Sequence, residues 1–273
     1  MERMTATHDA RGSLEIDASS PRLCVGGVTL RFGGLTALDN VSFDVYAGEL
    51  FAIIGPNGAG KTSIFNCLNQ VYRPQEGDIR LDGEQLMGLK PTRTAELGMA
   101  RTFQNLGLFV NLNVVENLML GRHHLMSTGF IAGMLWVGKA KREEVENRRR
   151  VEEIIDLLEL QQYRYQPVGM LPYGIQKRIE LGRALAMEPR VLLLDEPVAG
   201  MNLEETEDMA RYILEIRNEL GVTQIMVEHD MHLVMDIADR VMAIDFGQVI
   251  ATGLPEEIQS NEAVIEAYLG QGS

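Results

Sequence analysis

"GPNGAGKT", Gly55–Thr62, follows the apolar run "LFAII", Leu50–Ile54, and opens the stretch "KTSIFNCLNQVY". Five apolar residues in a row suit a strand buried on both faces, and the stretch from Lys61 reads as a helix. A glycine-rich turn joining the two at the spacing G-x-x-x-x-G-K-[ST] is a P-loop in its confirming context. Gly55, Gly58 and Gly60, with Pro56, Asn57 and Ala59 between them, let backbone N–H groups turn inward around phosphate oxygens. Lys61 is expected to reach the β- and γ-phosphates and the Thr62 hydroxyl to ligate Mg²⁺, with Ser63 beside them.

A P-loop needs a second carboxylate site for the metal, and "RVLLLDEP", Arg190–Pro197, supplies one. Asp195, at the end of a buried strand, can hold Mg²⁺ through water. Glu196 beside it is placed to polarise the attacking water as general base.

The flanking chain is α/β throughout. "VTLRF", "VSFDVY" and "GDIRLDG" read as strands before and after the P-loop helix, and "TQIMVEH" as a further buried strand. In "REEVENRRRVEEIIDLLEL", Val151, Ile154, Ile155 and Leu158 recur at helical spacing beneath a charged outer face. A helix from Asn202 carries Glu205 three residues on, a capping box, with Met209, Tyr212, Ile213, Ile216 and Leu220 toward the core. "RVMAIDFGQVIATG" reads as a hairpin turning at Asp245–Gly247, with two short helices after it around Glu256 and Val264. Alternating strands and helices imply a mostly parallel sheet covered by helices and interrupted by a helical insertion.

A chain of 273 residues is long enough for one large domain or two small ones. The formal net charge of -14 argues against a general nucleic-acid binder. Cys24 and Cys67 stand apart without metal-spaced neighbours, which fits a reducing cytosol. The apolar run Leu125–Gly138 is too short and too rich in Gly and Ser to span a bilayer, so a membrane role has to come through a partner.

With both nucleotide motifs in place, the chain resembles the ATP-binding-cassette (ABC) ATPases from about Leu23 to Gly253. The resemblance implies an α/β P-loop NTPase of the ABC-ATPase fold: a mostly parallel core sheet, an antiparallel β-subdomain and a helical subdomain inserted at about 105–178. Residues 1–22 would be a flexible tail and 254–273 a C-terminal helical extension. ATP and Mg²⁺ are the implied cofactors. Phe32 resembles the aromatic that stacks on adenine, and Gln104 in "RTFQN" the glutamine that touches Mg²⁺ and water and senses the membrane partner. His229 in "MVEHD" resembles the histidine that contacts the γ-phosphate. "AGMN", Ala199–Asn202, stands where the family's loop crosses between two subunits.

From Gln176 the segment "MLPYGIQKRIELGRAL", Met170–Leu185, reads as a helix launched by a turn. The family's Leu-Ser-Gly-Gly-Gln signature starts such a helix and caps the γ-phosphate bound by the other subunit. It aligns with Leu171, Pro172, Tyr173, Gly174 and Ile175, and only the leucine and the second glycine are kept. Pro172 brings neither hydroxyl nor N–H where the serine should donate, leaving the helix dipole and the Gly174 N–H.

"LPYGIQKRIELGRAL", "DEPVAGMN", "EHDMHLVMDIADR" and the ending "AYLG" look like the LivG-type cassette of branched-chain amino-acid importers, although Ile175 and Gly182 depart from that type. The resemblance implies a cytoplasmic ATPase, peripheral on the inner face of the cell membrane. It implies permease subunits as partners, a second, LivF-like cassette in a heterodimer, a solute-binding protein acting indirectly, and no nucleic acid. The run Phe130–Val137 is expected on or near the face that receives the permease. The alternatives are a lipopolysaccharide-export cassette, for which a Ser-Gly-Gly signature is expected, or an ABC ATPase acting on nucleic acid or ribosomes. The latter carry coiled coils, zinc cysteines or two cassettes, none of which this chain has.

Overall fold

The computed structural model describes residues 17–102, 107–123 and 139–269. Ten strands and nine α-helices lie among the described residues. The strands form two sheets. The smaller is antiparallel, in the order β2-β1-β4-β5, from β1 (Asp17–Phe32), β2 (Leu35–Ala47), β4 (Glu76–Leu81) and β5 (Glu84–Gln85). The larger runs β10-β9-β3-β8-β7-β6, from β3 (Leu50–Ile54), β6 (Met99–Arg101), β7 (Val191–Asp195), β8 (Thr223–Val227), β9 (Arg240–Asp245) and β10 (Gln248–Gly253). All its pairings are parallel except that of β9 with β10, the hairpin expected from "DFG".

Helix α1 (Lys61–Leu68) follows the P-loop, and α2 (Pro91–Glu96) precedes β6. Between β6 and β7 lie α3 (Val114–Gly121), α4 (Lys139–Leu157) and α5 (Tyr173–Leu185). Then come α6 (Leu203–Leu220), α7 (Met231–Ile237), α8 (Pro255–Gln259) and α9 (Glu262–Leu269). The capping box at Asn202 forms as the sequence predicts, with Glu205 N–H donating to Asn202 Oδ1 at 3.0 Å and Asn202 N–H to Glu205 Oε2 at 3.1 Å.

The pleat splits the apolar interior in two. Leu50, Ala52 and Ile54 of β3 join a core with α3, α4, α5 and α6. Phe51 and Ile53 join the other, with β1, β2, β4 and α1. The alternation is the period-2 geometry of a strand buried on both faces.

Four boundaries differ from the sequence reading. β1 starts at Asp17, so residues 17–22 of the expected tail are strand: Pro21 pairs with Tyr46, and Arg22 pairs with Asp82 at 3.4 Å. "DASSPR" carries no apolar alternation, so β2 rather than local pattern recruits it. α1 stops at Leu68 because Gln70 turns to a φ of 58° and ties back, its Nε2 donating to Cys67 O at 2.8 Å. α5 begins at Tyr173 rather than Gln176, directly after Pro172, whose fixed φ suits the entry to a helix. Leu220 is half-exposed rather than in the core, at the last turn before Gly221 ends α6 in the left-handed region.

Candidate active site

Strands β3, β7 and β8 are parallel neighbours, with Ile53 and Asp195 both in register with Val227. Their carboxyl ends therefore release three loops at one edge of the sheet, where α/β proteins bind ligands. The first is the P-loop, the second carries Glu196 and the third His229. Asn57 through Ser63, with Glu196 and His229, line one cavity of about 270 Å³.

The P-loop backbone is possible only for its glycines. Gly55 and Gly60 have φ of 155° and 110°; a Cβ on the first would collide with the Ile244 carbonyl and on the second would stand 2.9 Å from Ala37 O. The loop wraps its own lysine. Lys61 Nζ donates to Gly55 O at 2.6 Å and to Pro56 O at 2.8 Å, and the side chain is buried. Burial lowers its pKa from the ordinary 10.5, against the opposing attraction of Glu196. Among the described residues the ammonium donates to neutral carbonyls, and a buried ammonium so held is a receptor for an anion.

His229 Nε2 and Glu196 Oε1 lie 2.9 Å apart. A carboxylate only accepts, so a basic Glu196 requires the proton on Nε2, with the histidine donating. Glu196 sits at a φ of 49°, a strained value for a non-glycine, held by its N–H donating to Val227 O at 2.9 Å. Two more groups brace it. Glu228, buried, accepts from Val198 N–H at 3.0 Å and from His229 N–H at 2.8 Å, tying the loops that carry Glu196 and His229 together. Lys177, buried on α5, reaches Glu196 O at 3.4 Å and Glu180 at 3.9 Å.

Asp195 is 1% exposed and meets Arg101 at 2.5 Å, while its N–H donates to Thr102 Oγ1 at 3.0 Å. Thr62, exposed, is among the residues lining the cavity. A hydroxyl and a carboxylate are the hard oxygen donors that Mg²⁺ takes through few protein contacts, so these residues fit that ion.

The other expected residues lie elsewhere. Phe32 is outside this cavity, half-exposed, and edge-on to Tyr72 with ring centroids 5.1 Å apart. Leu171 is buried, and Pro172, Tyr173 and Gly174 form the exposed-to-buried start of α5, also outside the cavity. They pack on the Ala199–Asn202 loop and its helix: a Cβ on Gly200 would stand 3.4 Å from Tyr173 Cε1, and one on Gly174 would collide with the Glu205 carboxylate. The chain thus does not bring its own signature-like segment to its own P-loop. Gln104 and Phe130–Val137 lie outside the described residues. A larger cavity of about 560 Å³, with Arg122, Glu188, Pro189 and Val222, sits at the amino ends of β7 and β8 and holds none of this chemistry.

Arg101, Glu228 and Lys177 escaped the sequence reading. Glu228 stands in the quoted "MVEHD", and its neighbour His229 drew the inference instead. Arg101 precedes "TFQN" at a strand end, but only the adjacency of β6 and β7 gives it a partner.

Residues 38–199 match the ABC transporter family, and residues 248–273 match the branched-chain amino acid ATP-binding cassette transporter family. The chain is 43% identical over 253 residues to the high-affinity branched-chain amino acid transport ATP-binding protein BraF of Pseudomonas aeruginosa, covering 93% of this chain and 99% of that protein. Identity to LivG of Escherichia coli K12 is 41% over the same shares. The sulfate/thiosulfate import protein CysA of Bradyrhizobium diazoefficiens is 30% identical, over 90% of this chain and 68% of its own length. Among solved structures, a nucleotide-free ATP-binding cassette from an ABC transporter superposes with a TM-score of 0.80 at 28% identity, covering 92% of this chain and all of that one. The ADP conformation of an ATP-binding cassette of an ABC transporter gives 0.81 at 28% identity, with the same coverage.

Proposed function

Because the chain belongs to the ABC transporter family, we propose that it is the ATP-hydrolysing subunit of an importer for branched-chain amino acids or related small solutes. It is an ATPase, and the observation that carries its mechanism is the cavity in which the P-loop, Glu196 and His229 converge. The backbone of Gly55–Gly60 and the Lys61 ammonium hold the phosphates. Thr62 and, through water, Asp195 would hold Mg²⁺, which would offset charge on the transferring phosphoryl group. Glu196 takes the proton of the attacking water. His229 holds that carboxylate in place through its Nε2–H and lines the cavity on the γ-phosphate side. Phe32, half-exposed on a firm Tyr72 edge, offers its face to the adenine.

Leu171, Pro172, Tyr173 and Gly174 face a second cassette's nucleotide rather than this chain's own, which calls for a head-to-tail pair. A LivF-like partner with a complete signature is the favoured one. Residues 23–253 form the ATPase domain, with the helical subdomain at about 105–178 and a helical extension after 253. Among the described residues no helix is long and apolar enough to cross a membrane. The subunit accordingly docks on a permease at the inner face of the membrane, served indirectly by a solute-binding protein. Gln104 and Phe130–Val137 are assigned to that coupling by their place in the sequence.

Reconstitution with a permease, a partner cassette and a solute-binding protein of a branched-chain amino-acid importer tests this reading. Leucine, isoleucine or valine should raise ATP turnover severalfold over a sulfate or sugar control. Equal stimulation by all, or by none, refutes the solute class.

A further inference from the structure

Asp195 is almost fully buried, and an unpaired carboxylate there would be costly. Its partner is Arg101, which ends the neighbouring strand β6, where Arg101 is in register with Leu193. Arg101 Nη2 donates to Asp195 Oδ2 at 2.5 Å, and Nη1 to Asn66 Oδ1 on the P-loop helix at 2.7 Å. The guanidinium also lies over the Phe65 ring, 5.5 Å from its centroid. Asp195 Oδ1 makes no hydrogen bond among the described residues. One cation thus joins three elements of the nucleotide site and engages half of the carboxylate meant for the metal.

We propose that Arg101 is a positioning residue that sets the Mg²⁺ requirement of the nucleotide site. It fixes Asp195 through Oδ2, leaves Oδ1 to the metal's water, and opposes the ion with its own positive charge. Asn66 limits that opposition by holding the second guanidinium nitrogen away from Asp195. The inference rests on the reading of Asp195 as the magnesium-side carboxylate.

The test is Mg²⁺ titration of fluorescent ATP-analogue binding to the purified chain, with binding in EDTA measured alongside. Arg101→Gln should lower the Mg²⁺ midpoint about tenfold, the scale of repulsion between a unit charge and a nearby divalent cation in a water-like dielectric. Arg101→Lys, which keeps the charge, should stay within about twofold of wild type. Asn66→Ala frees the guanidinium to take both carboxylate oxygens, so its midpoint should rise about threefold, and this arm stands even if Arg101→Gln proves insoluble. A purely structural role would instead weaken binding in EDTA and leave the midpoint where it was or raise it for every Arg101 variant; that result, or an unmoved Asn66→Ala, overturns the proposal. Asp195→Asn is the control for the premise. If it leaves the midpoint unchanged, the metal-side reading of Asp195 fails; if it moves the midpoint while Arg101 and Asn66 variants do not, only the inference fails.

Discussion

Glu196 and His229 share a 2.9 Å hydrogen bond across the mouth of the P-loop cavity, although they leave two different strands. The bond orients the carboxylate, and in the proposed mechanism Glu196 is the base. Glu196→Gln should therefore keep ATP binding and slow hydrolysis about 10²–10⁴-fold. Steady-state phosphate release in the assembled transporter checks it, and near wild-type turnover would remove Glu196 from the role of base.

Lys61 gives a pH dependence. Its pKa lies below the ordinary 10.5 because of burial, so the fold disfavours its charged form. That destabilisation is present below the folded pKa and disappears as pH rises through the window between the folded pKa and 10.5. Bound phosphates do the opposite and hold the proton on. Nucleotide affinity should thus fall as pH rises through that window, with binding taking up protons there. Calorimetry in buffers of different ionisation enthalpy measures the uptake. Lys61→Arg, which does not titrate, should flatten the profile.

The signature-like segment predicts an asymmetric pair. In a homodimer both sites would face Pro172 and lack a serine donor, and a charge-assisted hydrogen bond to phosphate is worth about 1.5–3 kcal/mol, or roughly ten- to a hundred-fold. With a partner that has the serine, the site holding this chain's Lys61 is the complete one. Lys61→Ala should abolish most hydrolysis of the reconstituted complex, while the equivalent change in the partner costs less. Equal losses would exclude the asymmetry.

Gly182 concerns stability. A Cβ there would stand 3.0 Å from Leu158 Cδ1, 3.3 Å from Ile154 Cγ2 and 3.5 Å from Leu118 Cδ2, all buried. Ala would add about 1 kcal/mol of helix propensity, but overpacking costs about 1–3 kcal/mol. Gly182→Ala should be destabilising by about 1 kcal/mol in urea unfolding. A stabilised variant would show that α4 can retreat from α5.

The nucleotide loop was legible because its information is local: eight residues between an apolar strand and a helix specify one backbone. The capping box at Asn202 and the hairpin at Asp245–Gly247 were readable for the same reason. Arg101 was not, because its meaning comes from β6 lying beside β7, which no nearby residue encodes. Gly182 read as a departure from type until the packing of α3 and α4 onto α5 gave it a cause. Residues 17–22 and the end of α1 followed tertiary partners rather than their own patterns.

Strand β3 also bears on how such a chain can drift. Leu50, Ala52 and Ile54 share a core with the helices α3, α4, α5 and α6, and Phe51 and Ile53 share one with the antiparallel sheet and α1. Substitutions at adjacent positions therefore call for compensation in different parts of the molecule, whereas those two apart call for it in the same part. Over generations Ala52 should covary with residues such as Ile179 or Ile213, and Ile53 with residues such as Phe65 or Val28. The two halves of the cassette can then diverge at separate rates while sharing one five-residue strand.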